Sequence, residues 1–345
     1  MLNRSVLFIF LFLCLGASLT AQDIHFSFAE SNPLVLNPAL AGANYNKEAT
    51  LNYRNQWSSL GSPFKTTTAG FSSRIASQKR NATNTVAWGV QFINDRVGDP
   101  GMLGNAVSLV LADHIQLGSE SKLGVGLSFG IGQRALRQTE GQWASQYNGV
   151  TYDPSAPSGE AFENLDFRFA DAGLGILYTY GRRGGTLARS QDLVINTGVS
   201  AYHVNRPNSS FIREGDERLP VRYSAFANAE IAIADRDAAV LPGLYYHRQG
   251  AFQELLLGAS YKLKVISDTR YTGFNKPLAF SLGLFGRWQD AAIAKLRLDW
   301  DQYSFGYAYE FNTSRLNPYT NGTGAHEIFL RFIVPDSRPL RSSRY

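Results

Sequence analysis

Residues 291–311 read AAIAKLRLDWDQYSFGYAYEF, and apolar side chains alternate with polar or small ones along this stretch. In its first half, Leu296 and Trp300 fall on one face, whereas Lys295 and Arg297 fall on the other. In its second half, aromatic positions alternate with Ser, Gly, Ala and Glu. Successive side chains point to opposite faces only in a β-strand, so this two-residue period predicts strands that each have one apolar face.

The same period appears at residues 121–132, SKLGVGLSFGIG, where Gly or Ser fills nearly every second position. The glycines here do not make a nucleotide-binding loop, because they alternate within a strand pattern and no helix follows them. We therefore expect small side chains on the inner face of a sheet at Gly124, Gly126, Gly130 and Gly132.

The composition also favours a β-rich chain. Only 18% of the 345 residues are charged, against about a quarter in soluble domains. The 13% of aromatic residues excludes a disordered chain. A mean hydropathy of −0.19 is too polar for a helical membrane protein, and after Gln22 no window holds 18 consecutive apolar residues. The formal net charge of +5 gives no support to nucleic-acid binding.

Residues 1–21 have the layout of a cleavable secretory signal peptide, with Arg4 before the apolar run VLFIFLFLCL and LTA at the expected cleavage site. An apolar run of about ten residues is too short to span a bilayer as a helix, which argues against a retained anchor. Cleavage after Ala21 would remove Cys14, the only cysteine. The mature protein is therefore expected to be exported and to contain no disulfide.

Fourteen runs with strand character follow, and they are longer than the five or six residues typical of sandwich strands. A tilted strand needs roughly 9–11 residues to cross a bilayer. In hydrocarbon a sheet must close, because unpaired backbone groups at its edges are too costly there. We therefore predict an all-β fold, a closed antiparallel transmembrane β-barrel over residues 47–334, with strands near 47–57, 65–75, 84–94, 103–116, 122–137, 169–180, 190–202, 219–234, 239–248, 253–265, 276–288, 292–300, 302–311 and 325–334.

The connections between these runs predict an orientation. The odd-numbered connections are on average about twice as long as the even-numbered ones, as in outer-membrane barrels whose termini lie in the periplasm. Residues 138–168 and 203–218 are then the main outer loops. Tryptophans near the strand ends, at positions typical of interfacial girdles, are Trp57, Trp88, Trp288 and Trp300.

Residues 22–46 differ from the strand pattern. The sequence FSFAESNPLVLNPALAG, residues 26–42, contains two Asn-Pro pairs, and proline cannot donate a ladder hydrogen bond. We expect this segment to follow an extended path as a plug or as an element at the periplasmic mouth. At the other end of the chain, residues 335–345 carry three arginines and are expected to form a basic periplasmic tail.

Several of these segments carry a family resemblance. NPLVLNPALAG is followed by YRNQW and by Pro63 with three threonines, and later segments are FADAGLGILYTY, INTGVSAYHVNRPN, FGYAYEFNTS and GAHEIFLRF. Together they resemble the PorP/SprF family of type IX secretion outer-membrane proteins over about residues 26–334. The resemblance implies a fourteen-stranded barrel in the bacterial outer membrane that is not an enzyme and serves protein secretion and gliding motility. The partners it implies are outer-membrane lipid, secreted adhesin cargo with a C-terminal sorting domain, and periplasmic ring or accessory proteins.

The resemblance also implies site residues with a structural or partner-binding role. They are Asn32, Pro33, Asn37, Pro38, Ala39, Gly42, Tyr53, Arg54, Gln56, Trp57, His326 and Glu327. Arg54 and Gln56 are expected to point into the lumen, and Glu327 shares a face of the last strand with Arg331. If the first and last strands close the barrel, we expect a pair between Arg54 and Glu327 across the seam.

Catalytic and metal-binding motifs find little support. The five histidines show no HExxH or Cys/His spacing. The sequence DRVGDPG, residues 95–101, lacks the oxygen spacing of a calcium loop and is better explained as a hairpin turn. No catalytic residue, metal or other cofactor is predicted. Besides a secretion component, an outer-membrane diffusion channel or small-ligand transporter remains open, since Lys295, Arg297 and Asp299 would suit a polar lumen.

Overall fold

The computed structural model describes residues 24–59, 63–75, 84–97, 101–136, 143–159, 165–182, 193–211, 215–233, 236–266 and 276–334. The signal peptide expected at 1–21 and the tail expected at 335–345 lie outside these ranges. Within them, no helix has the length and apolar character needed to cross a membrane.

Fourteen antiparallel strands form one closed barrel in which each strand pairs with its neighbours in sequence. The first and last strands, β1 and β14, pair from Lys47 opposite Val334 to Gln56 opposite Ala325, and this pairing closes the sheet. The strands are β1 Lys47–Gln56, β2 Phe64–Arg74, β3 Asn84–Val97, β4 Met102–Gln116, β5 Ser121–Ala135, β6 Asp166–Arg182, β7 Leu193–Tyr202, β8 Arg222–Ala232, β9 Ala238–Gln249, β10 Phe252–Ile266, β11 Leu278–Arg287, β12 Ala291–Trp300, β13 Tyr303–Asn312 and β14 Thr323–Val334.

The predicted fold class is confirmed. Each predicted strand corresponds to one observed strand, and no predicted end differs from the observed end by more than three residues. Both the closure and the antiparallel order follow the prediction.

The two faces of the wall also separate as the alternation predicts. Along β11, Leu282 and Leu284 are 65% and 77% exposed, whereas Ser281 and Phe285 are buried. The outward face is therefore a band of large apolar side chains. Because every strand edge is paired, such a wall can lie in hydrocarbon without unpaired backbone groups.

The two longest connections, residues 136–165 and 203–221, lie between β5 and β6 and between β7 and β8. Both are odd-numbered, so in an up-and-down barrel they lie at the same end. We call this the long-loop end, and we call the other, where β1 begins and β14 ends, the opposite end.

Residues 24–46, which we call the luminal segment, lie inside the barrel. They contact inward side chains of strands around the circumference, from β2 through β7 to β14. The segment contains three short helical turns: Ala29–Ser31, a short α-helix, α1 (Pro33–Leu36), and Pro38–Leu40.

The extended path expected for this segment is wrong. Pro33 and Pro38 each begin a helical turn. The fixed φ of proline suits the first helical position, where no backbone N–H is needed. The residue before each turn is non-helical, as at Asn37, where φ is −160° and ψ is 125°.

Candidate functional site

The luminal segment is bound mainly through its backbone. The Tyr202 hydroxyl donates to the Leu34 carbonyl at 2.5 Å, and Arg222 Nη2 donates to the Val35 carbonyl at 2.7 Å. Ser200 Oγ donates to the next carbonyl, Leu36 O, at 2.7 Å. Three consecutive carbonyls of one helical turn, which have few partners within so short a helix, are therefore satisfied by the barrel wall.

The next part of the segment is held from the other side of the barrel. Arg74 donates through Nε to the Gly42 carbonyl at 2.6 Å and through Nη2 to the Ala43 carbonyl at 2.8 Å. His114 Nε2 lies 2.8 Å from the Ala41 carbonyl. Gly42 has a φ of +65°, and a Cβ there would come within 2.5 Å of the Ala87 Cβ. Both its conformation and its surroundings favour glycine.

The two predicted asparagines connect the segment to different strands. Asn37 Nδ2 donates to the carbonyls of Ile176 and Val199, each at 3.0 Å, and Asn37 Oδ1 accepts the Ala39 N–H at 2.8 Å. Asn32 Oδ1 accepts the Thr68 hydroxyl at 2.6 Å. Asn37 thus caps the turn that follows it and joins that turn to β6 and β7.

Gly124 and Gly126 face inward, as predicted, and glycines on this face make room for the luminal segment. A Cβ on Gly126 would lie 2.2 Å from the Ala39 nitrogen. A Cβ on Gly175 would lie 2.0 Å from Asn37 Oδ1. Because backbone and side-chain atoms of the segment approach the wall this closely, no larger residue fits these positions.

Buried charges hold the beginning of the segment near the long-loop end. The Glu310 carboxylate lies between two guanidinium groups: Arg54 binds it at 2.5 and 2.9 Å, and Arg287 binds it at 2.8 and 3.0 Å. The Ser27 hydroxyl also donates to Glu310. Both arginines and Glu310 are almost fully buried. Two bidentate contacts with one carboxylate fix the geometry strongly.

The predicted pair across the seam is present. Arg54 and Glu327 are opposite each other in the β1–β14 register, and Arg54 Nη1 lies 3.4 Å from Glu327 Oε2. Glu327 also accepts the backbone N–H of Ser27 at 2.6 Å and of Phe28 at 3.0 Å. Asn52 Nδ2 also donates to this carboxylate, at 2.9 Å. This carboxylate therefore joins the barrel seam to the luminal segment.

His25 lies beside this cluster of buried charged side chains. Its Nε2 is 3.3 Å from Arg54 Nη2. Burial, together with the nearby Arg287 and Arg54 guanidinium groups, lowers the pKa of His25 well below its usual range. The ring is therefore neutral near pH 7 and accepts a hydrogen bond from Arg54.

The remaining predicted site residues lie elsewhere. Gln56 is buried on the inward face beyond Arg54, whereas Tyr53 is 40% exposed on the outer face. Trp57 directly follows β1 with a φ of 55°, and its ring centroid lies 5.0 Å from that of Phe64. His326 is also on the outer face, where its Nδ1 lies 2.8 Å from the Tyr307 hydroxyl. The structure therefore brings Arg54 and Glu327 together at the beginning of the luminal segment. It places the Asn-Pro residues further along that segment, on β2, β6 and β7, and leaves Tyr53 and His326 on the outer face.

Sequence reasoning missed three members of the cluster: Glu310, Arg287 and Glu254, whose Oε1 lies 3.4 Å from Arg287 Nε. Each falls on the inward face of its strand, so the two-residue period could have indicated the lumen. Their partners could not be found in this way. Arg287 reaches Glu310 past the intervening strand β12, and such a contact depends on barrel curvature.

Two cavities flank the luminal segment and share no lining residue. One, of about 720 Å³, opens toward the opposite end and is lined by Pro33 and Leu36. The other, of about 490 Å³, opens toward the long-loop end and is lined by Leu34 and Val35. Neighbouring residues of α1 thus face different cavities, and α1 forms part of a wall between them.

The described residues contain no group of three or more His, Cys, Asp or Glu side chains placed to hold a metal ion. A family model for the type IX secretion system membrane protein PorP/SprF matches residues 18–332. The chain belongs to the PorP/SprF family. It is therefore a membrane component of the type IX secretion system, and its closed barrel with an apolar exterior is that of an outer-membrane protein.

Solved barrels resemble this PorP/SprF protein distantly. BamA from Haemophilus ducreyi lacking POTRA domains 1–3 has a TM-score of 0.44 at 9% identity, covering 83% of this chain and 70% of that one. The Ralstonia pickettii toluene transporter TbuX has a TM-score of 0.43 at 9% identity, covering 87% and 93%. The translocator domain of autotransporter NalP from Neisseria meningitidis has a TM-score of 0.34 at 12% identity, covering 83% and 88%. No curated protein matches the chain.

Proposed function

We propose that this protein is a non-enzymatic component of the type IX secretion and gliding machinery that assists export or surface anchoring of large adhesin-type cargo through protein–protein contacts. One observation carries the proposal beyond family membership: the luminal segment separates the lumen into two cavities, one open at each end. A barrel divided in this way offers a docking surface at each end, and its dividing wall obstructs a direct path for solutes. In this proposal residues 22–46 act as a plug.

The orientation follows from the connections. Outer-membrane barrels have longer loops outside than in the periplasm, so we place the long-loop end at the cell surface. Residues 138–168 and 203–218 then face the exterior, where an anchored adhesin would contact them. The opposite end faces the periplasm, where ring or accessory proteins and cargo with a C-terminal sorting domain would approach. The family-motif residues of the luminal segment then have a structural role.

Deleting the protein from its native host tests this function. We expect the secreted adhesins to lose surface display, and chemical crosslinking in the native membrane to join the intact protein to a cargo C-terminal domain or to a ring protein. Normal adhesin display in the deletion strain would contradict the proposal.

A planar-bilayer measurement tests the alternative of a channel or transporter. We expect the purified intact protein to show little steady conductance, because the luminal segment lies across the lumen. Steady, solute-selective conductance would instead support a diffusion channel or small-ligand transporter.

A further inference from the structure

Polar side chains interrupt the outward face of the barrel near the long-loop end of β2, β3 and β4. In the middle of β3 the outward residues are apolar as far as Phe92, and the next two outward residues are Asn94 and Arg96. On β4, the outward residue that follows Val107 toward the long-loop end is Asn105. The apolar band that faces hydrocarbon therefore ends at these residues, where lipid headgroups begin.

The register places two cations directly opposite each other on this face. Lys65 of β2 is opposite Arg96 of β3, and both are exposed. The second neighbour of Lys65 is Asn55 of β1, and that of Arg96 is Leu103 of β4, so neither cation has a carboxylate directly opposite it. Directly opposite residues have Cβ atoms about 4.5–5.5 Å apart, and like charges at this separation repel. An anion bound between the two side chains would remove this repulsion.

Hydroxyl and amide groups lie next to the cation pair, one outward position closer to the middle of the barrel. Thr67 is opposite Asn94, and Asn94 Nδ2 donates to Asn105 Oδ1 at 2.7 Å. Such groups both donate and accept hydrogen bonds, as sugar hydroxyls do. The next outward pair is Phe92 and Val107, which are 40% and 48% exposed. From the long-loop end inward, the face is therefore cationic, then polar and uncharged, then apolar.

Other sectors of the barrel lack this arrangement. The outward residues near the long-loop end of β11, β12 and β13 are uncharged: Leu284, Gly286, Ala292, Ala294, Tyr309 and Phe311. On β9, Arg248 faces outward near the same end, but its cross-strand neighbours are Tyr223 and Gln253. The cation pair thus belongs to one sector of the wall and is not part of a general girdle.

We propose that the outer face of β2–β4 at the long-loop end binds a phosphorylated glycolipid of the outer leaflet, with a phosphate between Lys65 and Arg96. Lysine and arginine bind phosphate through charge-assisted hydrogen bonds. The sugar hydroxyls then lie beside Asn94 and Asn105, and the acyl chains lie along Phe92. This inference goes beyond the proposed function, since it depends on the orientation of the barrel and not on the cargo.

Native mass spectrometry of the intact protein in mild detergent tests the site. The probes are lipid A with two phosphates, the same lipid after both phosphates have been removed, and phosphatidylglycerol, which is anionic but has no sugar. We expect the first probe to bind about tenfold or more tightly than either of the others, because a hydrogen bond to a charged group is stronger than one between neutral groups.

A double variant, Lys65→Gln with Arg96→Gln, gives the second measurement. We expect it to bind lipid A about tenfold or more weakly than the parent does, because both charged donors are lost. Arg248→Gln is the matched control, since it removes an outward cation that has no second cation opposite it, and its binding is expected to equal that of the parent. The electrophoretic mobility of unheated protein reports folding, and the comparison of probes on the parent protein does not depend on any variant.

Several results would overturn the glycolipid site while leaving the proposed function intact. Equal binding of lipid A and its dephosphorylated form would remove the phosphate contact, and equal binding of phosphatidylglycerol would remove the contact with the sugar. A folded double variant that binds lipid A as the parent does, or a control that loses as much binding as the double variant, would remove the assignment to Lys65 and Arg96. Loss of adhesin display in the deletion strain tests the proposed function separately.

The orientation is checked by surface labelling. Val150 lies in the connection between β5 and β6 and is 87% exposed, and the only cysteine, Cys14, lies in the expected signal peptide. We expect a membrane-impermeant maleimide to label Val150→Cys on intact cells. Labelling only after the cells are broken would place the long-loop end in the periplasm and overturn an outer-leaflet site.

Discussion

At the scale of single residues, buried charge dominates the lumen. Arg54 is 2% exposed and contacts both Glu310 and Glu327. Removing one partner of a buried ion pair leaves an uncompensated charge in a poorly solvated place. The residues that hold the luminal segment should therefore be sensitive to truncation.

The first prediction concerns Arg54→Ala. We expect this change to lower the free energy of unfolding by about 3–5 kcal/mol, because Glu310 and Glu327 would remain buried with fewer partners. Denaturant unfolding in detergent, followed by tryptophan fluorescence, measures the effect. The control is Arg218→Ala, whose exposed pair with Asp216 is expected to contribute under about 1 kcal/mol. Equal losses in the two variants would contradict this account.

The second prediction concerns Gly126→Ala. The new Cβ would overlap the backbone of Ala39 and Pro38, and overpacking of this kind costs about 1–3 kcal/mol. We expect lower stability and faster proteolysis within the luminal segment. Gly118→Ala is the matched control, because nothing lies within 4 Å of a Cβ there. If both variants behave as the parent does, the segment does not contact β5 as described.

At the scale of elements, each strand contacts lipid with one face and the lumen with the other. Its side chains therefore have to be apolar on the first face and compatible with the luminal contacts on the second. Leu282 lies outward near the middle of β11, between the inward residues Ser281 and Gly283. Trp288 follows the end of the same strand and is 68% exposed. The two positions therefore sample different depths on one strand.

The third prediction follows from this difference in depth. Leu282→Arg should destabilise the folded barrel by about 2–4 kcal/mol in lipid, because an arginine at the middle of the bilayer is poorly solvated. Trp288→Arg should cost only about 0–1 kcal/mol, because it lies near the interface. Reversible folding into phospholipid vesicles measures both, and a larger loss at Trp288 would place the membrane differently on the barrel.

At the scale of the whole molecule, the main feature is the contact between the luminal segment and the closed barrel wall. The segment contacts opposite sides of the barrel, for example at Thr68 of β2 and Ser200 of β7. It therefore lies across the lumen and separates the two cavities.

The fourth prediction is that removal of residues 24–43 opens the barrel. In planar bilayers we expect steady conductance from this variant and little from the intact protein. Removal of loop residues 143–159, which leaves the luminal segment in place, is the control. Unheated electrophoretic mobility shows whether each variant has folded. A folded variant without the segment that still does not conduct would contradict the role of residues 24–43 as a plug.

Much of the barrel wall could be predicted, because the alternation of apolar and polar residues is a local sequence pattern. The alternation at residues 291–311 depends only on the strand geometry, and β12 and β13 appear there as expected. The Arg54–Glu327 contact was also predictable, because barrel closure makes the first and last strands neighbours. The contact between Arg287 and Glu310 was not, because it joins strands that do not pair.

The path of the luminal segment shows the same limit. Two Asn-Pro pairs were enough to exclude a central strand, since proline lacks an N–H. They did not distinguish an extended path from short turns. That choice depends on carbonyl partners such as Tyr202 and Arg222, which come from strands more than 150 residues further along the chain.

The sequence by itself determined the strands, the two faces of each strand and the closure of the sheet. These follow from a two-residue period and from the cost of unpaired backbone groups in lipid. Only the tertiary structure decided how the lumen is filled, which carboxylate lies between which arginines, and where two separate cavities remain. Those features depend on distances between side chains from strands that are not neighbours, and such distances are set by the curvature of the closed barrel.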